Sequence, residues 1–237
     1  MYNKVTQEFT AYNGEKFTFA YREDTNDFNT ILSITRDDEY LTSKMTYQPN
    51  DVFVDIGAHI GIWGALMQRL VPDSTILAVE PLPENIELIQ LNVKDTYNVG
   101  INPSAVSNRS GMKTKIYYAN DTEGGLHHKF VGNIAGKFKG DKFYLAETIN
   151  LQDLLKDIPH VRVLKIDCEG GEHQFFRFAT KETLSKIDYI IGEYHNFEPQ
   201  SASRTRASLF KSMKGLFEDI GEPSEATVGP FWFKRIE

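Results

Sequence analysis

Asp51-Val-Phe-Val-Asp-Ile-Gly-Ala-His-Ile-Gly61, followed by an apolar-faced stretch to Val71 and then by Thr75-Ile-Leu-Ala-Val-Glu-Pro81, decides the fold. Val52 to Ile56 is an apolar run of strand length, two glycines make a turn, and Ile60 to Val71 carries helical spacing. A second apolar strand then ends on the carboxylate of Glu80, 23 residues after Gly57. Strand, glycine turn, helix, strand and acid in that order build the adenosine site of a doubly wound sheet.

The same alternation continues outward. Pro83 and Glu84 start a helix running to Asp95, with Ile86, Ile89 and Val93 on one side. Residues 101–106 read as a third strand, and Lys113 to Tyr118 as an antiparallel excursion at the sheet edge. Phe143 to Thr148 is a further strand and Asn150 to Leu155 a short capped helix. Val161 to Asp167 is a strand entering an acidic glycine turn, Glu172 to Ala179 a helix, and Ile187 to Glu193 a strand closing on Tyr194-His195. Ser203 to Ile220 places Leu209, Phe210, Met213, Leu216, Phe217 and Ile220 at helical spacing, and Phe231 to Arg235 is a closing strand.

Upstream, Phe9, Tyr12, Phe17, Phe19 and Tyr21 predict a hairpin, and Phe28 to Tyr47 a short helical cap. The expected organisation is therefore a small N-terminal cap over residues 1–50 on a main domain over 51–237. Residues 119–142 hold Gly124, Gly125, Gly132, Gly136 and Gly140 with His127 and His128, and almost no periodicity. Such a loop in a compact domain is expected to be a flap closing over an acceptor.

Composition excludes several functions. At 237 residues, 41% hydrophobic and 25% charged, the chain can bury one sizeable core. A net charge of −7 argues against nucleic acid as the main partner, since neutralising phosphates takes a basic face. Lys129, Lys137, Lys139 and Lys142 read as a solvated loop. The single cysteine, Cys168, makes no internal disulfide, which suits a reducing cytoplasm. No run approaches the roughly 18 apolar residues of a membrane span, and the first ten residues lack a signal-peptide core.

The turn reads Gly57-Ala58-His59-Ile60-Gly61, so His59 stands where a dinucleotide site needs its second glycine for the pyrophosphate. A phosphate-free cofactor whose amino-acid carboxylate meets main-chain donors tolerates a side chain there, and S-adenosylmethionine has that shape. Asp55, ending the first strand, is expected near the ammonium and sulfonium of that cofactor, and Glu80 is expected to accept both ribose hydroxyls.

Val54-Asp-Ile-Gly-Ala-His-Ile-Gly61, Val79-Glu-Pro81 with Glu84-Asn85, Ala105-Val-Ser107, Thr148-Ile-Asn-Leu-Gln-Asp153 and Leu164-Lys-Ile-Asp-Cys-Glu-Gly-Gly-Glu172 resemble, in order, the motifs of the FkbM-type S-adenosylmethionine-dependent methyltransferases. The resemblance spans about residues 50–195. It implies a Rossmann-like seven-stranded methyltransferase sheet with its last strand antiparallel, and methylation of hydroxyls on sugars or polyketide-type metabolites. It adds Pro81, Asn85, Ala105, Val106 and Asp167 to the expected cofactor contacts, with S-adenosylhomocysteine as product. Cys168 and Gly171 stand where the family commonly has an aliphatic residue and an alanine.

Methyl transfer to a hydroxyl is an in-line displacement that also needs a base. Strands ending in Asp167 and Glu193 open on the same crevice as the glycine turn, so Asp167, Glu169, Glu172, His173, Glu193 and His195 form the expected titratable set. His195 or Asp167 is the expected base, with Glu193 orienting the acceptor or the imidazole and Lys165 in packing or an ion pair. Glu172 is expected simply to start its helix. Asp167, Glu169 and His195 have the chemistry to hold a divalent cation, but their spacing fits no recognised ligand motif, so no metal is assigned. The rival readings are an NAD(P)-dependent oxidoreductase or a catalytically silent adenosine-binding protein. For the first, Tyr40 and Lys44 have Tyr-x-x-x-Lys spacing but precede the first core strand.

Overall fold

The structure, a computed structural model, describes residues 3–23, 25–95, 98–118, 128–129, 143–196, 205–221 and 228–236. The chain opens with an antiparallel hairpin, β1 (Lys4–Thr10) and β2 (Lys16–Arg22), then α1 (Asp27–Thr35) and a 3-10 turn, Thr42–Lys44. The first winding follows as β3 (Val52–Ile56), α2 (Ile62–Leu70), β4 (Thr75–Val79), α3 (Pro83–Asn92) and β5 (Val99–Asn102).

Four strands and a short helix come next: β6 (Ser104–Val106), β7 (Lys113–Tyr118), β8 (His128–Lys129), β9 (Phe143–Ile149) and α4 (Leu151–Leu154). Asn150 caps α4 by accepting from the Asp153 N–H, as its sequence indicates. The second winding is β10 (Val161–Ile166), α5 (Glu172–Arg177), α6 (Lys181–Leu184) and β11 (Ile187–His195), and the chain closes with α7 (Arg206–Ser212), β12 (Phe217–Asp219) and β13 (Val228–Arg235).

The main sheet has seven strands in the order β12-β13-β11-β10-β3-β4-β5. The pairs from β11 to β5 are parallel, and β13 runs antiparallel to both its neighbours, so the expected seven-stranded sheet with its last strand reversed is the one observed. Order reverses between β3 and β10, which opens a crevice at the carboxyl ends of these two strands.

Both faces are covered. Phe53 and Val163 pack on one side with Trp63, Leu88 and the hairpin residues Phe17 and Phe19. Their chain neighbours Val54 and Leu164 pack on the other with Phe175, Phe176, Phe231 and Phe233. The hairpin is also tied down by polar contacts. The Asn92 amide donates to Ala20 O and Ile60 O and accepts from Ala20 N, joining β2, α3 and the glycine turn.

Three expectations are corrected. Residues 101–106 are not one strand: β5 ends at Asn102 in the main sheet, while β6 pairs with β9 in a separate four-stranded sheet of order β6-β9-β7-β8. Lys113 to Tyr118 therefore extends that second sheet and not the edge of the first. Within 205–220, helix stops at Ser212, because Lys214 and Gly215 take positive φ of 58° and 74°, and Phe217 enters a strand. Apolar residues happened to continue at helical spacing across that break. The glycine-rich segment read as a flap, with His127, lies outside the described residues except for the backbone of β8.

Candidate active site

Close backbone approach dictates the turn after β3. A Cβ on Gly57, at φ +69°, would stand 1.8 Å from Asp167 O, so only glycine lets β3 and β10 lie this near at their ends. His59 is also left-handed, at φ +54°, which turns its N–H onto Glu80 Oε2 at 2.9 Å. Gly61 opens α2 where a Cβ would press within 3.2 Å of Ile89, so it permits α2 and α3 to pack.

Above this turn lies a cavity. Of the residues expected at the cofactor, Gly57, Ala58, His59, Glu80, Pro81, Asn85, Ala105, Val106 and Asp167 line it. Gly61 does not, being spent on helix packing, and neither does Asp55. Asp55 is fully buried, with Oδ1 3.1 Å from Lys165 Nζ, which also donates to Gly57 O at 3.0 Å. Lys165 thus makes the ion pair anticipated for it. Burial lowers its pKa, but Asp55 and Asp167 more than reverse this, so it stays a cation.

Glu80 is buried and held by three donors: His59 N–H on Oε2, and Leu82 N–H and Asn85 Nδ2 on Oε1. Burial raises its pKa against the pull of those donors. The amide of Asn85 leaves its own Oδ1 buried without a partner.

The N-terminal elements supply the opposite wall through Asn26, Asp27, Thr30, Ile34 and Tyr40, of which the sequence pattern had singled out only Tyr40, and that for the rival reading. Arg22 and Asp27 form a buried bidentate pair at 2.8 and 2.9 Å, and His59 Nε2 sits 3.0 Å from Arg22 Nη2 and 3.1 Å from Asp27 Oδ1. Hairpin and glycine turn are therefore braced together by charge. Burial alone would raise the Asp27 pKa, yet His59 and Arg22 hold it well below the usual carboxylate range. A depressed carboxyl stabilises the fold fully above its unfolded pKa, near 4, and this contribution is lost as pH falls from there through the folded value.

Asp27→Asn strands the Arg22 charge, so urea unfolding at pH 7 should show a loss of about 3–5 kcal/mol, with the gap to the parent narrowing below about pH 4. A loss under about 1 kcal/mol at pH 7, the value typical of an exposed pair, would contradict this bracing role.

At the other end of the cavity, Asp167 and Glu169 form an acidic wall. Tyr40 OH donates to Asp167 Oδ2 at 2.9 Å, and burial together with Asp167 pushes its pKa far up, so it remains a donor. Lys44 is exposed, so the Tyr-x-x-x-Lys spacing makes no catalytic pair. Behind the wall, His195 is buried among four carboxylates. Its Nδ1 is 3.2 Å from Glu172 Oε1, and its Nε2 is 3.2, 3.6 and 3.9 Å from Glu193, Glu169 and Asp167.

Burial opposes charge on His195, but Glu172 and then Glu193 and Asp167 overcome it and push its pKa up to about 12. The expected base is thus surrounded by groups that favour its protonated form. The same attraction outweighs burial on Glu172 and holds its pKa near 2. Glu172 does begin α5, as anticipated, but its carboxylate also accepts from Cys168 N–H and Gly170 N–H and braces His195. His173 is buried on α5. Glu169 is raised to about 7, first by burial and then by the neighbouring carboxylates, with His195 pulling the other way.

Comparison with known proteins shows the family. Residues 55–221 match the methyltransferase FkbM domain family. Methyltransferase 1 of Beauveria bassiana is 28% identical over 197 residues, covering 75% of this chain and 77% of that protein. The 31-O-demethyl-FK506 methyltransferase FkbM of Streptomyces tacrolimicus is 24% identical over 211 residues, covering 78% and 77%. Among solved structures, a fibrillarin/Nop5p complex aligns at a TM-score of 0.50 and 13% identity over 98% of this chain and 93% of that one, which concerns the fold alone. The family match runs from Asp55 at the tip of β3 to Gly221 beyond β12, taking in the glycine turn, Glu80 and the acidic wall: this chain is a methyltransferase and belongs to the FkbM family.

Proposed function

We propose that this chain transfers a methyl group from S-adenosylmethionine to a hydroxyl of a small metabolite or glycan. Family membership implies that donor, and the residues present fit it. Glu80 Oε2 accepts one hydrogen bond of the two or so it has room for, and the adjacent Asn85 Oδ1 accepts none. Two neighbouring acceptors suit the two hydroxyls of a ribose, which revises the expectation that Glu80 alone takes both. Apolar Leu82, Ala105, Val106 and Ile116 continue the same cavity and suit an adenine ring. When bound, S-adenosylmethionine supplies an electrophilic methyl on a positively charged sulfur.

The chain's own residues do the rest. Tyr40 aligns Asp167, and Asp167 with Glu169 takes the proton that a hydroxyl must lose as its oxygen attacks. His195 sits between Glu172 and Glu193 and holds both through its two ring nitrogens. The acidic wall on the cavity carries the hydroxyl reading, because Asp167-Cys168-Glu169-Gly170 replaces the Asn/Asp-Pro-Pro-Tyr run of amine methylation. A relative whose name places methylation on an oxygen of an FK506 precursor points the same way.

The test is transfer of labelled methyl from S-adenosylmethionine to a panel of polyols, sugars and hydroxylated macrolides beside their amine counterparts. Label in an O-methyl ether, with S-adenosylhomocysteine released, is the expected result. Label found only on nitrogen or carbon would overturn it.

A further inference from the structure

We infer that Asp167, Glu193 and His195 form a binding site for a hard divalent cation, magnesium or manganese, at the acceptor end of the cavity. The spacing in the sequence matched no ligand motif, but the fold brings one oxygen of each carboxylate and one ring nitrogen within 4.8 Å of one another. His195 Nε2 stands 3.2 Å from Glu193 Oε2 and 3.9 Å from Asp167 Oδ1. Ligands about 2.1 Å from a six-coordinate ion lie about 3 Å apart when adjacent and about 4.2 Å when opposite, so both separations from His195 fall inside that range. Mixed carboxylate and single imidazole donors, with no thiolate, favour these oxygen-seeking ions.

Two of the three candidates are aimed from behind, as bound ligands are. Tyr40 OH takes Asp167 Oδ2 and leaves Oδ1 turned toward the imidazole. Glu172 takes His195 Nδ1 and so directs Nε2 at the two carboxylates. Glu172 is itself fixed by Cys168 N–H and Gly170 N–H, so the ring cannot follow it elsewhere. Gly192, at φ +153°, also keeps the regular pairing of β10 with β11 up to the strand ends. A Cβ on Gly192 would fall 1.7 Å from Ile166 O, which lets Glu193 and Asp167 emerge side by side.

Asp167 belongs both to this triad and to the cavity wall, so an ion held here borders the acceptor's place. Its catalytic use rests on the methyl-transfer reading. An ion with open positions there would hold the attacking hydroxyl and an adjacent oxygen of the acceptor. The favoured acceptors would be molecules with two neighbouring oxygens.

Manganese alone is the probe, added to the full chain after chelator treatment and followed by the electron paramagnetic resonance signal of free Mn²⁺. One ion per chain, displaced by millimolar magnesium, is expected. Glu193→Gln, at a half-buried position, and the milder Tyr40→Phe should weaken it, the latter by about 10-fold or more as for outer partners of metal ligands. Binding of S-adenosylhomocysteine, read by thermal shift, reports folding and the cofactor site independently. No Mn²⁺ bound below millimolar concentration, or equal binding by Glu193→Gln, would overturn the site even where S-adenosylhomocysteine still binds. Loss of S-adenosylhomocysteine binding by the parent chain would instead count against the methyltransferase reading.

Discussion

Glu80→Ala is expected to weaken S-adenosylhomocysteine binding about 100-fold to 1,000-fold, since hydrogen bonds to a charged group are worth roughly 1.5–3 kcal/mol each and each factor of ten is about 1.4 kcal/mol. The variant loses the proposed ribose contact and more. Glu80 also fixes the His59 N–H and points the Asn85 amide, so its removal leaves the second proposed hydroxyl acceptor unaligned. Three buried donors lose their partner at once, which also costs stability. Glu80→Gln keeps the volume and one acceptor, and should retain the fold with an intermediate affinity. Calorimetry on both variants, with circular dichroism confirming the fold, checks this. Parent-like affinity in Glu80→Ala would remove Glu80 from the cofactor site.

Asp167→Asn separates chemistry from binding. The amide keeps the shape and still offers an oxygen to Tyr40 OH, but it neither takes a proton nor balances the charge beside His195. Turnover should fall about 10²- to 10⁴-fold, the usual range for losing a positioned acid or base. Affinity for S-adenosylhomocysteine should change far less, because the proposed ribose and adenine contacts lie on α3, β6 and β7 and in the turn after β4. Single-turnover rates with saturating cofactor, set beside calorimetric affinity, distinguish the two effects. An unchanged rate would take Asp167 out of the reaction.

The sheet and the glycine turn were legible because their signals are local. Val52 to Gly61 and Thr75 to Glu80 each complete a strand and its turn within a dozen residues, and a parallel strand buried on both faces must be apolar throughout. The other wall of the cavity was not legible. Tyr40 meets Asp167 across 127 positions, and Arg22 meets His59 across 37, so no periodicity records either contact. Hydrophobic spacing misled where it ran on across a backbone break, as at Lys214 and Gly215.

The carboxylate cluster around His195 was likewise out of reach. Its four carboxylate neighbours come from the turn after β10, the start of α5 and the end of β11, and only the parallel pairing of those strands gathers them. Asp55 shows the converse. Its position in the motif suggested a cofactor contact, while its side chain turned inward to neutralise Lys165. A carboxylate next to a glycine turn has two ways to satisfy its charge, and the buried lysine on the neighbouring strand supplied the nearer one.

Calorimetric titration of the unmodified chain with S-adenosylhomocysteine and, separately, with NADH tests most directly whether the crevice beside Glu80 takes a phosphate-free adenosine cofactor. The account predicts one molecule of S-adenosylhomocysteine per chain and no heat of binding from NADH, since the turn holds His59 where a pyrophosphate site needs glycine. Saturable binding of NADH with none of S-adenosylhomocysteine would contradict it.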